Sequence, residues 1–567
     1  MTYWGSIIHL RVEDIGADGK LILDKNTNVY LVNLLEKLLV PLLGKLSNFV
    51  IDGGIWMNTQ RPEWNDANNA LVGNGISMVT LYYIRRYITF LDDLLANEKG
   101  EFLLSYEVKI WLEKTAKILN MAAKKVSKDS INDTQRFEIL YELGSVASQY
   151  RKTIYAQEGF SQSVDTNIQL VKDLLDDVKE LLDSTIRNNQ KKDGLYHAYN
   201  LLSLDDKNAN VSNLYTMLEG QVGVLSSKVL HVKEVLKTLE ELFKSNLYRG
   251  DLGTFLLYPD RKTQGFLEKN CFSKNEIENI DLLREMIQKK DTKIVLEDIN
   301  GNIRFNPDII NKESLHETIK TLDFSYNNLI YTSKSQIFEL FEKVYNHKEF
   351  TGRSGGMFGF EGLGCTYWHM VSKLLLAVQE CYFEAIKNNE SKDDILELKK
   401  YYYKVRNGFG FDKTPDVFGA FPTDPYSHTP RDFGAQQPGM TGSVKEEVLT
   451  RFGELGIIIS KGEVSFSPSL LEIDEFLNQS ESFEYYDTKN NKNTILLTEG
   501  MLAFTWGQIP IIYELTHNKE NIIVYKTNGE TIQNKGKTLE HTTTQNIFER
   551  TGEIDKIICQ IPKSYLA

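Results

Sequence analysis

The amino-acid sequence predicts a mainly α-helical protein, a closed helical toroid followed by a C-terminal antiparallel β domain. Apolar residues recur at three and four positions through most of residues 28–460, which is the period of an amphipathic helix. Beyond residue 460 the pattern changes to short alternating segments bounded by Asn, Lys and Gly, which is typical of strands. The sequence shows no repeat of fixed short period, so a closed toroid is favoured over an open array of tandem helical repeats.

We divide the sequence into three parts: an N-terminal segment over residues 1–27, a helical domain over 28–460 and a β-sandwich-like domain over 461–567. Helices are predicted near residues 29–39, 76–95, 105–126, 130–156, 164–188, 228–246, 275–290, 334–346, 366–389 and 392–405. Strands are predicted at residues 463–467, 495–497, 501–506, 511–513, 522–525 and 557–559. We expect Pro41 to kink or break the first of these helices, because proline cannot donate the helical hydrogen bond.

Composition excludes several classes of function. The net charge of −13, without a Lys/Arg cluster along the chain, argues against a nucleic-acid partner. The four cysteines lack CxxC spacing, so we expect neither a disulfide framework nor a metal site, and no cofactor. The sequence shows no export signal and no run of about 20 apolar residues, so we expect a cytoplasmic protein without a membrane partner. A homodimer is compatible with these observations.

Two stretches, residues 61–69 and 436–447, carry the strongest functional signal. Each places a carboxylate in a turn rich in Gly, Asn or Pro just before a helix-periodic run. A loop that leads into a helix is a position from which a side chain can face a cleft. Cleavage of a glycosidic bond needs a carboxylic acid on one side and a second carboxylate on the other. We therefore interpret the two stretches as two halves of one active site.

Asp66 is the candidate general acid in the first stretch. The neighbouring Trp64 can stack on a sugar and provide the apolar surroundings that raise the pKa of a carboxyl group. Polar neighbours of the types that bind sugar hydroxyls complete the candidate substrate site: Arg61, Glu63, Asn65 and Asn69. The alternative is structural, because the same run could form an Asx turn that caps the helix beginning near residue 76.

In the second stretch, Glu446 is the candidate general base and Glu447 is the neighbouring alternative. Adjacent residues on a helix point about 100° apart, so only one of the two is expected to face the cleft. Gln436 and Gln437 are added as candidate substrate-binding residues. The structural alternative is that glutamates in the first turn of a helix are favoured by its dipole and need no catalytic role.

Residues 62–77 resemble the Asp-Trp-Asn-Asp-Gly-Met-Asn-x-Val-Gly segment of the cellobiose phosphorylase family, in which the final Asp of Trp-Asn-Asp is the general acid. The matching position is Asp66. Residues 500–513 resemble a strand pair in the C-terminal β domain of those enzymes. Residues 442–447 resemble the Gly-x-x-Ala-Glu-Gln segment of glucoamylases, and that register selects Glu446 as the base. The resemblance implies a six-hairpin glycosidase, whose fold is an (α/α)6 toroid, acting on an oligosaccharide.

Long loops supply the remaining candidate substrate-binding residues. A Gly-rich loop over residues 351–364 leads into an aromatic helix start, and we interpret it as a sugar-binding or packing loop in preference to an anion site. The aspartate and arginine that follow Tyr258 could bind hydroxyls or pair with each other. His369 and His428 could assist at the cleft, although lone histidines are more often structural. The candidates in these loops are Tyr258, Asp260, Arg261, Arg353, Glu361, Trp368, His369, His428 and Arg431.

Two points separate the sequence from the cellobiose phosphorylase pattern. Residues 427–439 do not match the phosphate-binding pattern of that family, although His428 and Arg431 could bind an anion. The carboxylate of Glu446 therefore favours inverting hydrolysis, with phosphorolysis using inorganic phosphate, or an inactive carbohydrate-binding scaffold, as alternatives. In addition, only about one long helix precedes Asp66, where the toroid predicts about five. We expect either an upstream domain beyond this chain or helices supplied in an altered order.

Overall fold

The computed structural model describes residues 3–24, 26, 28–58, 71, 73–127, 130–157, 159–259, 268, 270–345, 366–409, 428–429 and 443–566. The chain divides into two compact units. Unit 1 comprises Met1–Pro62, Leu71–Pro259 and Gly364–Ala567, and unit 2 includes Asp260–Leu363. Unit 2 therefore interrupts the region that the sequence treats as one helical domain.

The described residues are rich in helices. In chain order these are α1 (Tyr3–Ile15), α2 (Leu34–Leu46), α3 (Met78–Leu95), α4 (Tyr106–Val126), α5 (Asp133–Gln157), α6 (Ile168–Asn188), α7 (Leu218–Ser226), α8 (Val232–Lys244), α9 (Lys274–Glu278), α10 (Asp281–Lys289), α11 (Lys312–Lys320), α12 (Asn327–Tyr345), α13 (Trp368–Lys387), α14 (Lys392–Arg406), α15 (Ser443–Glu454) and α16 (His541–Glu549). Each helix predicted from the 3.6-residue period has a counterpart here.

The strands are shorter and occur in both units. In chain order they are β1 (Phe49–Val50), β2 (Gly54–Trp56), β3 (Gly75–Ser77), β4 (Glu101–Ser105), β5 (Ser163–Asn167), β6 (Tyr199–Leu204), β7 (Ala209–Asn213), β8 (Tyr248–Arg249), β9 (Thr254–Phe255), β10 (Val295–Glu297), β11 (Ile303–Phe305), β12 (Thr366–Tyr367), β13 (His428–Thr429), β14 (Ile457–Ser460), β15 (Glu463–Phe466), β16 (Glu481–Tyr486), β17 (Lys492–Leu497), β18 (Met501–Trp506), β19 (Ile509–Thr516), β20 (Asn521–Lys526), β21 (Thr531–Lys535) and β22 (Ile554–Pro562).

Helix α2 continues through Pro41, so the expected break is absent. The helix begins with a side-chain cap, in which Asn33 accepts a hydrogen bond from the backbone N–H of Glu36 at 2.9 Å. Leu39 and Leu43, on either side of the proline, are fully buried. Because most helical stability in proteins comes from packing of the apolar face, this burial offsets the hydrogen bond that proline removes.

Helix packing in unit 1 forms a continuous lateral row. Contacts join α4 to α6, α6 to α3, α3 to α7, α7 to α13 and α13 to α15, while α5 packs on α4 and α14 packs on α13. The apolar faces of α3, α4 and α6 share one hydrophobic core. In α3, for example, Leu81, Ile88 and Leu91 are buried at helical spacing. The row provides a rigid scaffold whose helix ends can carry a site.

A five-stranded sheet lies beside the first part of this row, in the order β1-β2-β3-β6-β7 with antiparallel neighbours. Ile76 in β3 is fully buried and pairs with Trp56 on one side and Asn200 on the other. The sheet is important for the site because β3 leads directly into α3. Ser77, its last residue, accepts a hydrogen bond from the backbone N–H of Thr80 and so caps that helix.

The C-terminal region contains the predicted strands, but its five-stranded sheet is mixed and not purely antiparallel. The strand order is β18-β19-β22-β20-β21, and β19 runs parallel to β22 with Ile511 opposite Ile557. A parallel pair needs a long connection, and the hairpin β20–β21 together with α16 supplies it. One face of the central strands packs into the core, since Ile511, Tyr513 and Ile557, which share that face, are fully buried.

Unit 2 has its own hydrophobic core. Helices α9 to α12 surround the two-stranded sheet β10–β11, in which Leu296 pairs with Arg304. Phe305 is fully buried at the centre, with its ring centroid 5.1 Å from those of Phe272 and Phe341. Ser273 and Asn311 cap α9 and α11 with reciprocal capping boxes. Because this core is separate, unit 2 is a folding unit distinct from the helices that flank it in the sequence.

Among the described residues, none of the helices combines the length and the apolar composition that crossing a membrane requires.

Candidate active site

The first candidate motif lies between two paired strands of the small sheet. Residues 59–70, which contain Asp66 and its neighbours, lie outside the described residues. On either side of them the backbone is fixed: the Met57 N–H donates to the Gly75 carbonyl at 2.9 Å, and the Gly73 N–H donates to the Met57 carbonyl at 2.7 Å. Helix α3 begins two residues after Ile76, close to the predicted start. The described residues that flank the motif in sequence are thus joined by backbone hydrogen bonds, and Gly75 lies in the strand that leads into α3.

The first turn of α7 lies beside that of α3. Both contact the same segment, since the Met78 N–H donates to the Ala198 carbonyl at 2.9 Å, and a Cβ atom at Gly220 would lie only 2.8 Å from the Tyr196 carbonyl oxygen. Gly220 is therefore required for this close approach. Glu219, the residue immediately before Gly220, is buried in the first turn of α7. No pattern in the sequence indicates this glutamate as a candidate site residue.

Tyr258 joins the same end of the helix row. It follows β9 and Leu257 in sequence. The backbone carbonyl of Leu257 accepts a hydrogen bond from the N–H of Leu218 at the start of α7. The ring of Tyr258 is buried and packs edge-on against Tyr215, with centroids 6.1 Å apart. Strand β9 also packs against β12, which leads into α13. The starts of α3, α7 and α13 are therefore brought together by short strands. Asp260 and Arg261 lie outside the described residues.

Trp368 and His369 form the start of α13 and are both buried. The indole of Trp368 packs on Phe409, with centroids 5.8 Å apart, and is only 1% exposed. The backbone carbonyl of His369 accepts a hydrogen bond from Ser372. The Trp368 indole therefore has a packing role, while the described contact of His369 is made by its backbone. Direct sugar contact by either side chain stays a prediction.

His428 is placed by its backbone alone. It pairs with Tyr367 across the two-stranded ladder β12–β13. This ladder joins the segment after the Gly-rich loop to the segment before the second carboxylate motif. The candidate residues that flank the ladder in sequence lie outside the described residues, as do those of the first motif; they are Arg61, Glu63, Trp64, Asn65, Asn69, Arg353, Glu361, Arg431, Gln436 and Gln437.

Glu446 lies in the first turn of α15 and Glu447 is the next residue, and the two have different surroundings. Glu446 is 3% exposed, and its Oε2 atom has no hydrogen-bond partner among the described residues. Its Oε1 atom is 3.5 Å from Nζ of the exposed Lys445. Glu447 instead forms an ion pair with Arg406 of α14, with Nη1 and Oε2 separated by 3.1 Å, while its Oε1 atom is also buried without a described hydrogen-bond partner. Each glutamate therefore keeps one such oxygen, and Glu446 is the one that no arginine engages in the described contacts.

Arg406 belongs to a buried network that fixes α15. Its Nε atom is 2.9 Å from Oε1 of Glu454, which also accepts a hydrogen bond from the Tyr402 hydroxyl at 2.5 Å. The other oxygen of Glu454 is 2.8 Å from Nη1 of Arg451, and Arg451 reaches Glu475 at 2.6 Å. Glu454 is 1% exposed, so it is a buried charge with both oxygens paired.

Burial raises the pKa of the Tyr402 phenol far above its ordinary range, and the nearby Glu454 carboxylate adds to the effect. For Arg406, burial acts to lower the pKa, but Glu454, Tyr402 and Glu447 outweigh it and the pKa lies above its ordinary value. The phenol thus stays protonated and the guanidinium stays charged throughout the physiological range. This network has no clear signature in the sequence pattern, since the charges of α14 resemble an ordinary solvated face.

Among the described residues, no group of three or more His, Cys, Asp or Glu side chains is arranged to hold a metal ion. A buried carboxylate at the start of a helix can accept a hydrogen bond from a sugar hydroxyl or take a proton from a bound water.

Comparison with known proteins finds a similarity within unit 2. Residues 263–348 match the family model described as GH149 phosphorylase insertion domain 2. The matched range falls inside unit 2 and includes its helices α9 to α12. No curated protein matches the chain. The family match supports a relationship to glycoside phosphorylases and hence a carbohydrate-active protein.

Proposed function

We propose that this chain is a glycoside phosphorylase that transfers a terminal sugar of an oligosaccharide to inorganic phosphate. The observation that carries the proposal is the match of residues 263–348 to a phosphorylase insertion domain. The sequence alone favoured hydrolysis, because it offered a second carboxylate and no recognisable phosphate pattern. The insertion domain shifts the balance, because hydrolysis explains Glu446 but gives no reason for a phosphorylase-type insertion.

In the proposed reaction, a phosphate oxygen attacks the anomeric carbon as the bond from that carbon to the glycosidic oxygen breaks. Asp66 donates its proton to the departing oxygen, and the products are a sugar 1-phosphate and an oligosaccharide shorter by one sugar. Attack from the side opposite the leaving group inverts the anomeric configuration. Phosphate is a co-substrate here, and no other cofactor is needed. The remaining candidates of the first motif are proposed to bind the sugar hydroxyls.

Glu446 has a different role in the two possible reactions. Water must lose a proton as it attacks, so an inverting hydrolase needs a carboxylate base. Phosphate already carries negative charge and needs no base, and a nearby carboxylate would repel it. In phosphorolysis, therefore, we propose that Glu446 accepts a hydrogen bond from a sugar hydroxyl. Hydrolysis stays the second candidate because the Oε2 atom of Glu446 is buried without a described partner.

The proposed helical framework is a toroid of the six-hairpin type. The continuous row from α4 to α15 supports it, because such a toroid is built from laterally packed helices around a central cleft. The common end at which α3, α7 and α13 begin supports placing the site there, since loops at one end of a rigid scaffold are where substrates bind.

The test is to incubate the purified protein with a panel of oligosaccharides, with and without phosphate, and to measure sugar 1-phosphate and free sugar. Phosphorolysis predicts phosphate-dependent release of sugar 1-phosphate, which Asp66→Asn abolishes while the fold is retained. Glu446→Gln is expected to slow this reaction without abolishing it. Free sugar without phosphate, lost in both variants, would establish hydrolysis. Calorimetric binding without any product would instead identify a carbohydrate-binding scaffold.

A further inference from the structure

Arg406 is the last residue of α14, and its side chain reaches two glutamates on α15. Its Nη1 atom is 3.1 Å from Oε2 of Glu447, and its Nε atom is 2.9 Å from Oε1 of Glu454. Residues seven apart on a helix lie on nearly the same face, two turns from each other. One guanidinium thus bridges the N-terminal and C-terminal halves of α15 from the same side.

Two attachment points on one face constrain a helix more than one does. A single contact leaves α15 able to rotate about its axis or to slide along its neighbour. Two contacts to one planar guanidinium oppose both movements, because the directions of its N–H groups are fixed. Glu446 is adjacent to Glu447 and about 100° around the helix, so its direction follows from that of Glu447.

The two ion pairs differ in what they contribute. Glu454 is 1% exposed and also paired with Arg451 and Tyr402, so its charge is a deeply buried part of the fold. Glu447 keeps 28% of its side-chain surface exposed. The pair between Arg406 and Glu447 lies next to the buried carboxylate of Glu446, so it can affect the direction of that carboxylate as well as the stability of the fold.

We propose that Arg406 is a positioning residue, which fixes the rotation of α15 through Glu447 and so directs the Glu446 carboxylate at the bound sugar. This inference rests on the proposed function, in which Glu446 contacts the substrate. Small errors in the position of a substrate-contacting group reduce turnover strongly, and a displacement of about 1 Å can cost on the order of a hundredfold. Arg406 itself contacts neither sugar nor phosphate in this proposal.

The experiment uses Arg406→Gln and Glu447→Gln, with Arg451→Gln as the matched control. Arg451 pairs with the same buried Glu454 but does not contact Glu447 in the described contacts. Arg406→Gln and Arg451→Gln should both lower the melting temperature, because each removes a charged partner of the buried Glu454 carboxylate. Only Arg406→Gln and Glu447→Gln should lower kcat for sugar release, by roughly tenfold or more, with a smaller change in KM. The double variant Arg406→Gln/Glu447→Gln should have a kcat no lower than that of Arg406→Gln alone. Arg406→Lys should recover part of the loss.

Hydrogen exchange gives a second measurement that does not depend on turnover. Arg406→Gln and Glu447→Gln should increase amide exchange in the turn of α15 that begins at Glu447, whereas Arg451→Gln should leave that turn protected. Equal loss of kcat in Arg406→Gln and Arg451→Gln, additive effects of Arg406→Gln and Glu447→Gln, or unchanged exchange would each overturn the inference. A wild-type protein that releases no sugar would instead reject the proposed function, and the exchange experiment would still decide whether Arg406 orders α15.

Discussion

The side-chain amide of Gln379 on α13 donates from Nε2 to the backbone carbonyl of Thr450 on α15, with N and O 2.8 Å apart. The same amide approaches Gly453 so closely that a Cβ atom there would lie 2.3 Å from Oε1 of Gln379. Gln379 is buried and also lies 3.4 Å from the Tyr402 hydroxyl, so it is held from two sides. This contact joins the helix that begins at Trp368 to the helix that carries Glu446.

Gly453→Ala should therefore destabilise the protein even though alanine is the better helix former. The added methyl group must displace a buried, hydrogen-bonded amide, and overpacking of this kind costs about 1–3 kcal/mol. Gly144→Ala is the matched control, because Gly144 also lies within a helix, α5, and a Cβ atom there meets nothing within 4 Å. Gly144→Ala should raise the free energy of unfolding by about 0.5–1 kcal/mol. Urea denaturation of both variants measures the difference, and equal effects would contradict the packing argument.

Lys399 on α14 should be important for attaching the C-terminal end of the chain. Its ammonium group donates to the backbone carbonyls of Ser469, Leu471 and Leu566, at 3.2, 3.4 and 3.0 Å. Lys399→Met leaves these acceptors without their donor, and we expect a loss of about 1–3 kcal/mol in the free energy of unfolding.

Lys400→Met is the control for this substitution. Lys400 is 74% exposed and pairs with Glu397 on the surface, so its change should stay within about 0.5 kcal/mol. Limited proteolysis provides an independent measurement, in which Lys399→Met should speed cleavage near the C-terminus. Similar behaviour of the two variants would show that the three carbonyl contacts do not hold the terminus.

Unit 2 should lose a stabilising interaction in acid. Asp298 accepts hydrogen bonds from the backbone N–H groups of Asn302 and Asn300 and from Arg304, and these lower its pKa to about 2. An aspartate in the unfolded chain has a pKa of about 3.9. Because the folded pKa is the lower one, the contribution is complete above about pH 4 and is lost as the pH falls through about 2.

The measurement is amide exchange in the turn between β10 and β11, compared between wild type and Asp298→Asn. The asparagine retains an acceptor but not the charge, so wild type should be more protected above pH 4. The difference should shrink as the pH approaches 2. A difference that stays constant across this range would show that the Asp298 charge does not stabilise the turn.

The fragment 260–363 should fold without the rest of the chain. Its core is formed by its own residues, with Phe305 between Phe272 and Phe341. Circular dichroism should show one cooperative thermal transition. Phe305→Ala should lower the free energy of unfolding by about 3–5 kcal/mol and so abolish that transition. A fragment with helical signal but no cooperative transition would mean that unit 2 depends on the rest of the protein.

Much of the helical framework follows from the sequence, and the exceptions have physical causes. Helices α3 to α6 are amphipathic, so their period is visible. Helix α7 was not predicted because every residue in it is buried, which leaves no polar face to produce a periodic signal. The small sheet was missed because strands such as β1 and β2 are too short to show alternation. Unit 2 was not separated because its helical period continues that of its neighbours.

The candidate site was predictable only in part for the same kind of reason. The sequence pattern predicts both glutamates in the first turn of a helix; α15 has Glu446 there and Glu447 as the next residue. The pattern could not distinguish their surroundings, because the partner of Glu447 is Arg406, on another helix. Glu219 was missed together with α7. Local patterns reveal the carboxylates, but contacts between distant segments determine which of them is paired with an arginine.

The chain leaves unit 1 after Pro259 and returns at Gly364, and the nearest strands on either side, β9 and β12, pack against each other. The ends of the intervening segment are therefore anchored at neighbouring points of the host. A scaffold with such adjacent ends can gain or lose an inserted body during evolution at little more cost than a surface loop of different length. The packing of the helical row therefore does not require a body between these two strands.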